Sequence, residues 1–159
     1  MTIVILLAFA VFALASGEEE PGNQGSGTVS SSSENKDTDI GDYSVIIDSC
    51  RLAKDYEGKD VVIVKYKFTN NRNDEATSFT LAFVDEAFQN GVGLNHAYVL
   101  DENANYNEDN QTKAIKKGAT IDIEVAYELN DTTTDIEVEV EELFSSSEKT
   151  ITKTFSINK

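Results

Sequence analysis

The chain reads as all-β, an antiparallel sandwich or barrel of seven or eight strands behind a signal segment and a disordered tether. Beyond residue 40, apolar and polar residues alternate in short runs rich in Val, Ile, Tyr and Phe. Turn-forming residues break these runs at roughly eight-to-twelve-residue spacing, the rhythm of sandwiches and barrels. Helical spacing is scarce, and no self-similar period points to a solenoid or propeller.

Taken in order, Tyr43 to Leu52 is the first expected strand, closed by the polar connection Ala53–Lys59, whose Glu57-Gly58 pair suits a hairpin. Asp60 to Thr69 alternates most clearly. Val62, Val64, Tyr66 and Phe68 share one face and Val61, Ile63, Lys65 and Lys67 the other, which predicts one buried and one half-wet side. Asn70–Asp74 is then a turn. Thr77 to Phe88 reads as a third strand with Phe79, Leu81 and Phe83 inward, leading through Gln89-Asn90-Gly91 into a shorter strand from Leu94 to Leu100. Asn-Gly is the strongest short hairpin signal, because both residues tolerate positive φ.

Asp101 to Thr112 follows as a polar loop and Lys116-Lys117-Gly118 as a turn. Ala119 to Leu129 is a long strand with Ile121, Ile123, Val125, Tyr127 and Leu129 on one face and Asp122, Glu124 and Glu128 on the other. After Asn130–Asp135 the chain returns with Ile136, Val138 and Val140 alternating with Glu137, Glu139 and Glu141, and it finishes with Thr150–Ile157.

Ahead of this domain, at 40–159, stand two other segments. Residues 1–16 hold thirteen consecutive apolar residues, Ile3–Ala15, ending in Ala13-Leu14-Ala15. That length suits an export signal, since a spanning helix needs about 20. No Lys or Arg precedes the run, so residues are expected upstream of Met1. Leu14-Ala15-Ser16-Gly17 resembles a lipobox with Gly17 in place of the lipid-bearing Cys. The segment is therefore either cleaved or kept as a short membrane anchor. Residues 17–39 are mostly Gly, Ser, Asn and acidic residues with one Pro and Val29 as the one aliphatic side chain, a composition that cannot order itself. Such a linker reaches roughly 25 Å on average.

A formal charge of −16 over 159 residues repels phosphate backbones and anionic membranes, which disfavours nucleic-acid binding. Cys50 is the lone cysteine, so no internal disulfide is available and it is expected as a small buried hydrophobe. His96 is the lone histidine, too little for a zinc site or, without a nucleophile elbow, for a triad; it is expected at the surface beside the hairpin. Asp101–Asn105 alternates oxygen donors like a calcium loop, but Tyr106 and Thr112 stand where the turn Gly and the closing Glu are required. Sequons at Asn110 and Asn130 would mark surface loops in a eukaryotic secretory protein, but the lipobox-like leader points to bacteria, where they carry no expected role.

Two patches remain. Between Gly118 and Glu142 there are nine acidic residues and no basic one, which on two consecutive paired strands would make a carboxylate ladder. Such a face either binds a cation or basic partner or is an ordinary solvated surface, salted by Lys65 and Lys67. Around the Gln-Asn-Gly turn lie Phe83, Phe88, Val92, Leu94 and Tyr98; whichever of Phe88 and Tyr98 is exposed is the expected partner contact.

The run Tyr56–Asn71, then Glu75–Phe79, Ala87-Phe88-Gln89-Asn90-Gly91-Val92, Lys117-Gly118 and Ala126–Leu129 resembles a domain of unknown function from exported proteins and lipoproteins of Gram-positive bacteria. That family is similar to the immunoglobulin-like sandwich of immunoprotective extracellular proteins. The resemblance spans roughly residues 40–157 and implies an immunoglobulin-like sandwich, while supplying no functional residues. The expected protein is thus an exported, non-enzymatic binding module, extracytoplasmic, either secreted or held at the cell surface. Its partner is an unknown protein or cell-wall ligand, and membrane tethering runs through the N-terminal segment. No catalytic, cofactor or metal residues are assigned. The competing expectation is a sensor or inhibitor domain that binds a small ligand or cation.

Overall fold

A computed structural model describes residues 38–100, 104–145 and 148–157. The leader expected at 1–16, and all but the last two residues of the linker expected at 17–39, lie outside the described residues. So do the first three residues of the calcium-like loop.

Eight strands form two four-stranded antiparallel sheets, an all-β sandwich. The first sheet has the order β1 (Asp39–Ile40), β2 (Tyr43–Lys54), β3 (Asp60–Asn70), β6 (Thr120–Glu128). The second has the order β5 (Val92–Gly93), β4 (Phe83–Gln89), β7 (Ile136–Glu142), β8 (Thr150–Phe155). Alternation places Val62, Val64, Tyr66 and Phe68 of β3 and Ile123, Val125 and Tyr127 of β6 against Val138 and Val140 of β7, all buried in one core. At one end of it Tyr43, Phe68, Phe79 and Phe83 meet at tilted or edge-on angles, with ring centroids 5.4–6.1 Å apart.

Asn90 and Gly91 both have positive φ, 52° and 73°, and join β4 to β5 as the Asn-Gly signal predicts. The run Thr77–Phe88 is not one strand. Phe79–Ala82 forms a single helical turn, α1, so that Phe79 and Phe83, four residues apart, fall on the same side. Leu81, expected inward, is 67% exposed. A period of two and a spacing of four both place positions 79 and 83 together; crossing from the first sheet to the second selects the helical turn.

The expected strand from Leu94 to Leu100 also changes. Only Val92–Gly93 pairs with β4; the chain then leaves the second sheet and runs beside β6. There Ala97 N–H donates to Ala126 O and Glu128 N–H to Asn95 O, both at 2.8 Å. Ala97 and Val99 cover Val61, Ile63 and Ala126, joined by Ala104 and Tyr106. This second cluster makes half of the supposedly wet face of β3 dry. The Arg51 guanidinium fastens the cover by donating to Ala104 O, Asn105 O and the Glu124 carboxylate.

Two buried amides hold the crossings between sheets. Asn70 Nδ2 donates to Glu75 O and Ile115 O, and its Oδ1 accepts from Arg72 N–H. Gln89 Nε2 donates to Asp131 O and Thr134 O, while its Oε1 accepts from Asn130 and Asp131 N–H. At the opposite lateral edge, Lys153 of β8 points inward and donates to Ile47 O and Asp48 O, at the bulge of β2. An inward lysine on an edge strand also discourages pairing with another chain.

Candidate binding face

The two outer faces carry different charge. On the first sheet, Lys65 of β3 lies opposite Glu124 of β6 and Lys67 opposite Asp122. The ion pairs form between Lys65 and Asp122 at 2.8 Å, Lys67 and Asp122 at 4.0 Å, and Arg51 and Glu124. Asp122 is correspondingly held below the usual carboxylate range, chiefly by the hydrogen bond from Lys65. Residues 97–100 and 104–112 cover much of the remainder: Asn110 donates to Asp122 O and Gln111 to Glu124 O. This face is neutralised and occupied.

The expected carboxylate ladder on consecutive strands is overturned, because β6 and β7 belong to different sheets. The connection 129–135 crosses the sandwich, so the acids of β6 and β7 decorate opposite outer faces. Those of β7 have different neighbours. On the second sheet Phe83, Ala87 and Gln89 point inward, leaving Val84, Glu86 and Phe88 outward. The register sets Val84 opposite Glu141, Glu86 opposite Glu139 and Phe88 opposite Glu137. On the far side of β7, Thr154, Thr152 and Thr150 face the same three glutamates.

Glu86, Glu137, Glu139 and Glu141 therefore share one face with threonines and apolar side chains, and none of the ion pairs among the described residues reaches them. Thr150 Oγ1 donates to Glu141 at 2.7 Å. Glutamates placed directly opposite, as Glu86 and Glu139 are, destabilise a strand pair by roughly 0.2–1 kcal/mol.

Of the two expected contact residues, Phe88 is half-buried on this face, its ring against Gly93, where a Cβ would lie 3.7 Å away. Tyr98 is 73% exposed on the segment beside β6. The two belong to different sheets' surroundings. Cys50 is half-buried against the main core, and burial raises its thiol above the ordinary value.

A polar chain inside the sandwich was not legible as such in the sequence. Asp85 takes an inward position between Phe83 and Ala87 and accepts a hydrogen bond from the Tyr127 hydroxyl, which lies 3.2 Å from that of Tyr66. Burial pushes Asp85 upward and keeps both tyrosines protonated. His96, though exposed as expected, sets its ring edge-on to Tyr127 with centroids 5.0 Å apart. The chain links β3, β6 and β4 across the two sheets. Its sequence signal is the inward phase of Asp85, which alternation from Phe83 already implies; its partners Tyr66 and Tyr127 lie on the other sheet and are set only by tertiary packing. Among the described residues no three His, Cys, Asp or Glu side chains converge as metal ligands, and no helix is long and apolar enough to cross a membrane.

A family model described as a domain of unknown function (DUF5067) matches residues 18–142. No curated protein gave a match. Among solved structures, a candidate lipoprotein of Staphylococcus aureus is 22% identical, with 77% of this chain and 90% of that chain covered and a TM-score of 0.57. A candidate lipoprotein of Bacillus subtilis is 14% identical, with 72% of this chain and 36% of that chain covered and a TM-score of 0.55. At these identities the likeness is one of fold.

Proposed function

The chain belongs to the DUF5067 family, whose activity is unassigned, and from that premise we propose an exported binding module of the cell envelope that engages a cationic partner. The observation that carries this reading is the contrast between the outer faces: the first is ion-paired and covered, while on the second no ion pair among the described residues reaches the four glutamates. Charge complementarity of this kind steers encounter and excludes wrong partners. The module acts by binding rather than by catalysis. Its sandwich is of the immunoglobulin-like type, a reading supported by two antiparallel sheets whose strands cross from one to the other after β3, after β5 and after β6.

The apolar leader and the Gram-positive candidate lipoproteins of similar fold support an extracytoplasmic address. Sequencing the mature N-terminus tests it: a chain starting near Ser16 is expected for release, and a retained Met1 in the membrane fraction for an anchor, whereas an uncleaved chain in the cytoplasm defeats export.

For the face, the probe is a lysine homopeptide titrated against the full chain at low and high salt. The Glu86→Gln/Glu139→Gln double variant is expected to weaken binding clearly more than Glu75→Gln/Glu108→Gln, which removes the same charge elsewhere. Its melting temperature should rise slightly as the opposed pair is relieved. Equal losses in the two double variants would reduce the effect to net charge and defeat the reading.

A further inference from the structure

The end of the acidic face carries an apolar patch that the fold leaves uncovered. Phe83 pairs with Glu142 and Val84 with Glu141, and one step beyond, Leu143 N–H donates to Ala82 O at 2.8 Å. Leu81 and Phe144 adjoin the two residues of that last bond, Leu81 in α1 and Phe144 in the turn after β7, which sets them with Val84 at the same end of the second sheet. They are 67%, 43% and 95% exposed. α1 buries Phe79 and Ala82 and turns Leu81 out. Phe144 has φ 66°, a left-handed conformation that glycine adopts freely and a bulky residue adopts only at a cost. A turn there is better served by glycine, so an exposed phenylalanine is kept against the preference of the backbone.

Exposed apolar side chains beside charge are the anatomy of a docking anchor. Glu141 stands opposite Val84 and Glu86 two residues along β4, which borders the patch with negative charge. The same glutamates oppose an anionic lipid surface, and a second copy of the chain would set them against themselves. They favour lysine or arginine. We infer that Leu81, Val84 and Phe144 anchor a basic, amphipathic segment of a protein partner, whose apolar side chains cover them while its cations meet the glutamates. This deepens the acidic-face reading and rests on it.

The test compares two short peptides of equal charge, one alternating lysine with leucine and one alternating lysine with serine, titrated against the full chain. The leucine peptide is expected to bind about tenfold more tightly, a difference of about 1.4 kcal/mol. Phe144→Gly is expected to erase most of that preference while raising the melting temperature by a few degrees, and Leu81→Ser to reduce it. A merely structural phenylalanine would show the opposite pairing, unchanged preference with lower stability. Equal affinity for the two peptides, or a preference that survives both substitutions, overturns the inference. If Glu86→Gln/Glu139→Gln still weakens both peptides in that case, the acidic face stands without its anchors. Phe144-dependent binding to phosphatidylglycerol vesicles with no leucine preference would assign the patch to lipid and also overturn it.

Discussion

Gln89→Ala is expected to destabilise the domain by about 2–4 kcal/mol, measured as a lower urea midpoint at unchanged slope. Gln89 is 2% exposed and engages four backbone groups of the 130–134 connection through its one amide. Alanine leaves two N–H and two C=O groups to find water in a crossing folded around that amide, and buried groups left unpaired cost roughly 1–3 kcal/mol each. Partial access of water to Asn130 and Asp131 keeps the sum below the simple total. Gln89→Glu, which sets a buried carboxylate against the Asp131 and Thr134 carbonyls, should cost at least as much as alanine. A change under about 1 kcal/mol for alanine would show that the crossing is held by its own turn. That turn is built on Asp131, whose carboxylate accepts from Thr133 and Thr134 N–H and is lowered to about 2.

Asp85→Asn is expected to stabilise the domain at neutral pH by roughly 1–2 kcal/mol, the ordinary size of a buried polar mismatch. The asparagine oxygen can still accept from Tyr127, while the charge that burial disfavours is removed. Because the folded state raises Asp85, it binds more protons than the unfolded chain above the ordinary carboxylate value of about 3.9. Native stability therefore falls as pH rises from that value through the raised one, and the native-minus-variant difference should open over the same window. Below it the two proteins should melt alike. Asp131 has the reverse sign: its contribution is present above the ordinary value and is lost as pH falls toward about 2. Thermal melts of both proteins between acid and neutral pH check the expectation. A variant less stable than the native protein at neutral pH would mean that the ionised hydrogen bond to Tyr127 outweighs the burial of Asp85.

The polar residues within the family-like runs, Asn70 and Gln89, are brackets of the architecture. That explains why those runs identify a fold while naming no activity. The strands β2, β3, β6, β7 and β8 were legible because alternation over six or more residues admits one reading. The Phe79–Phe83 spacing was not, since a strand and a helical turn satisfy it equally. The path of 94–100 was hidden for a different reason. Ala97 and Val99 alternate as a strand would, but their partners are Val61, Ile63 and Ala126 of the other sheet.

Composition and alternation were enough to establish an all-β domain of antiparallel strands, the inward phase of most of them and the hairpin at Asn90-Gly91, since these follow from periods and φ preferences within a few residues. Which strands share a sheet is a long-range matter. Consecutive β6 and β7 separate because 129–135 crosses the sandwich, and that one choice neutralises one set of acids with Lys65, Lys67 and Arg51 and leaves the other facing water beside Val84 and Phe88. Charge along the chain is the same in either arrangement. Its neighbours across the sheet make one face a covered, ion-paired wall and leave the glutamates of the other facing solvent.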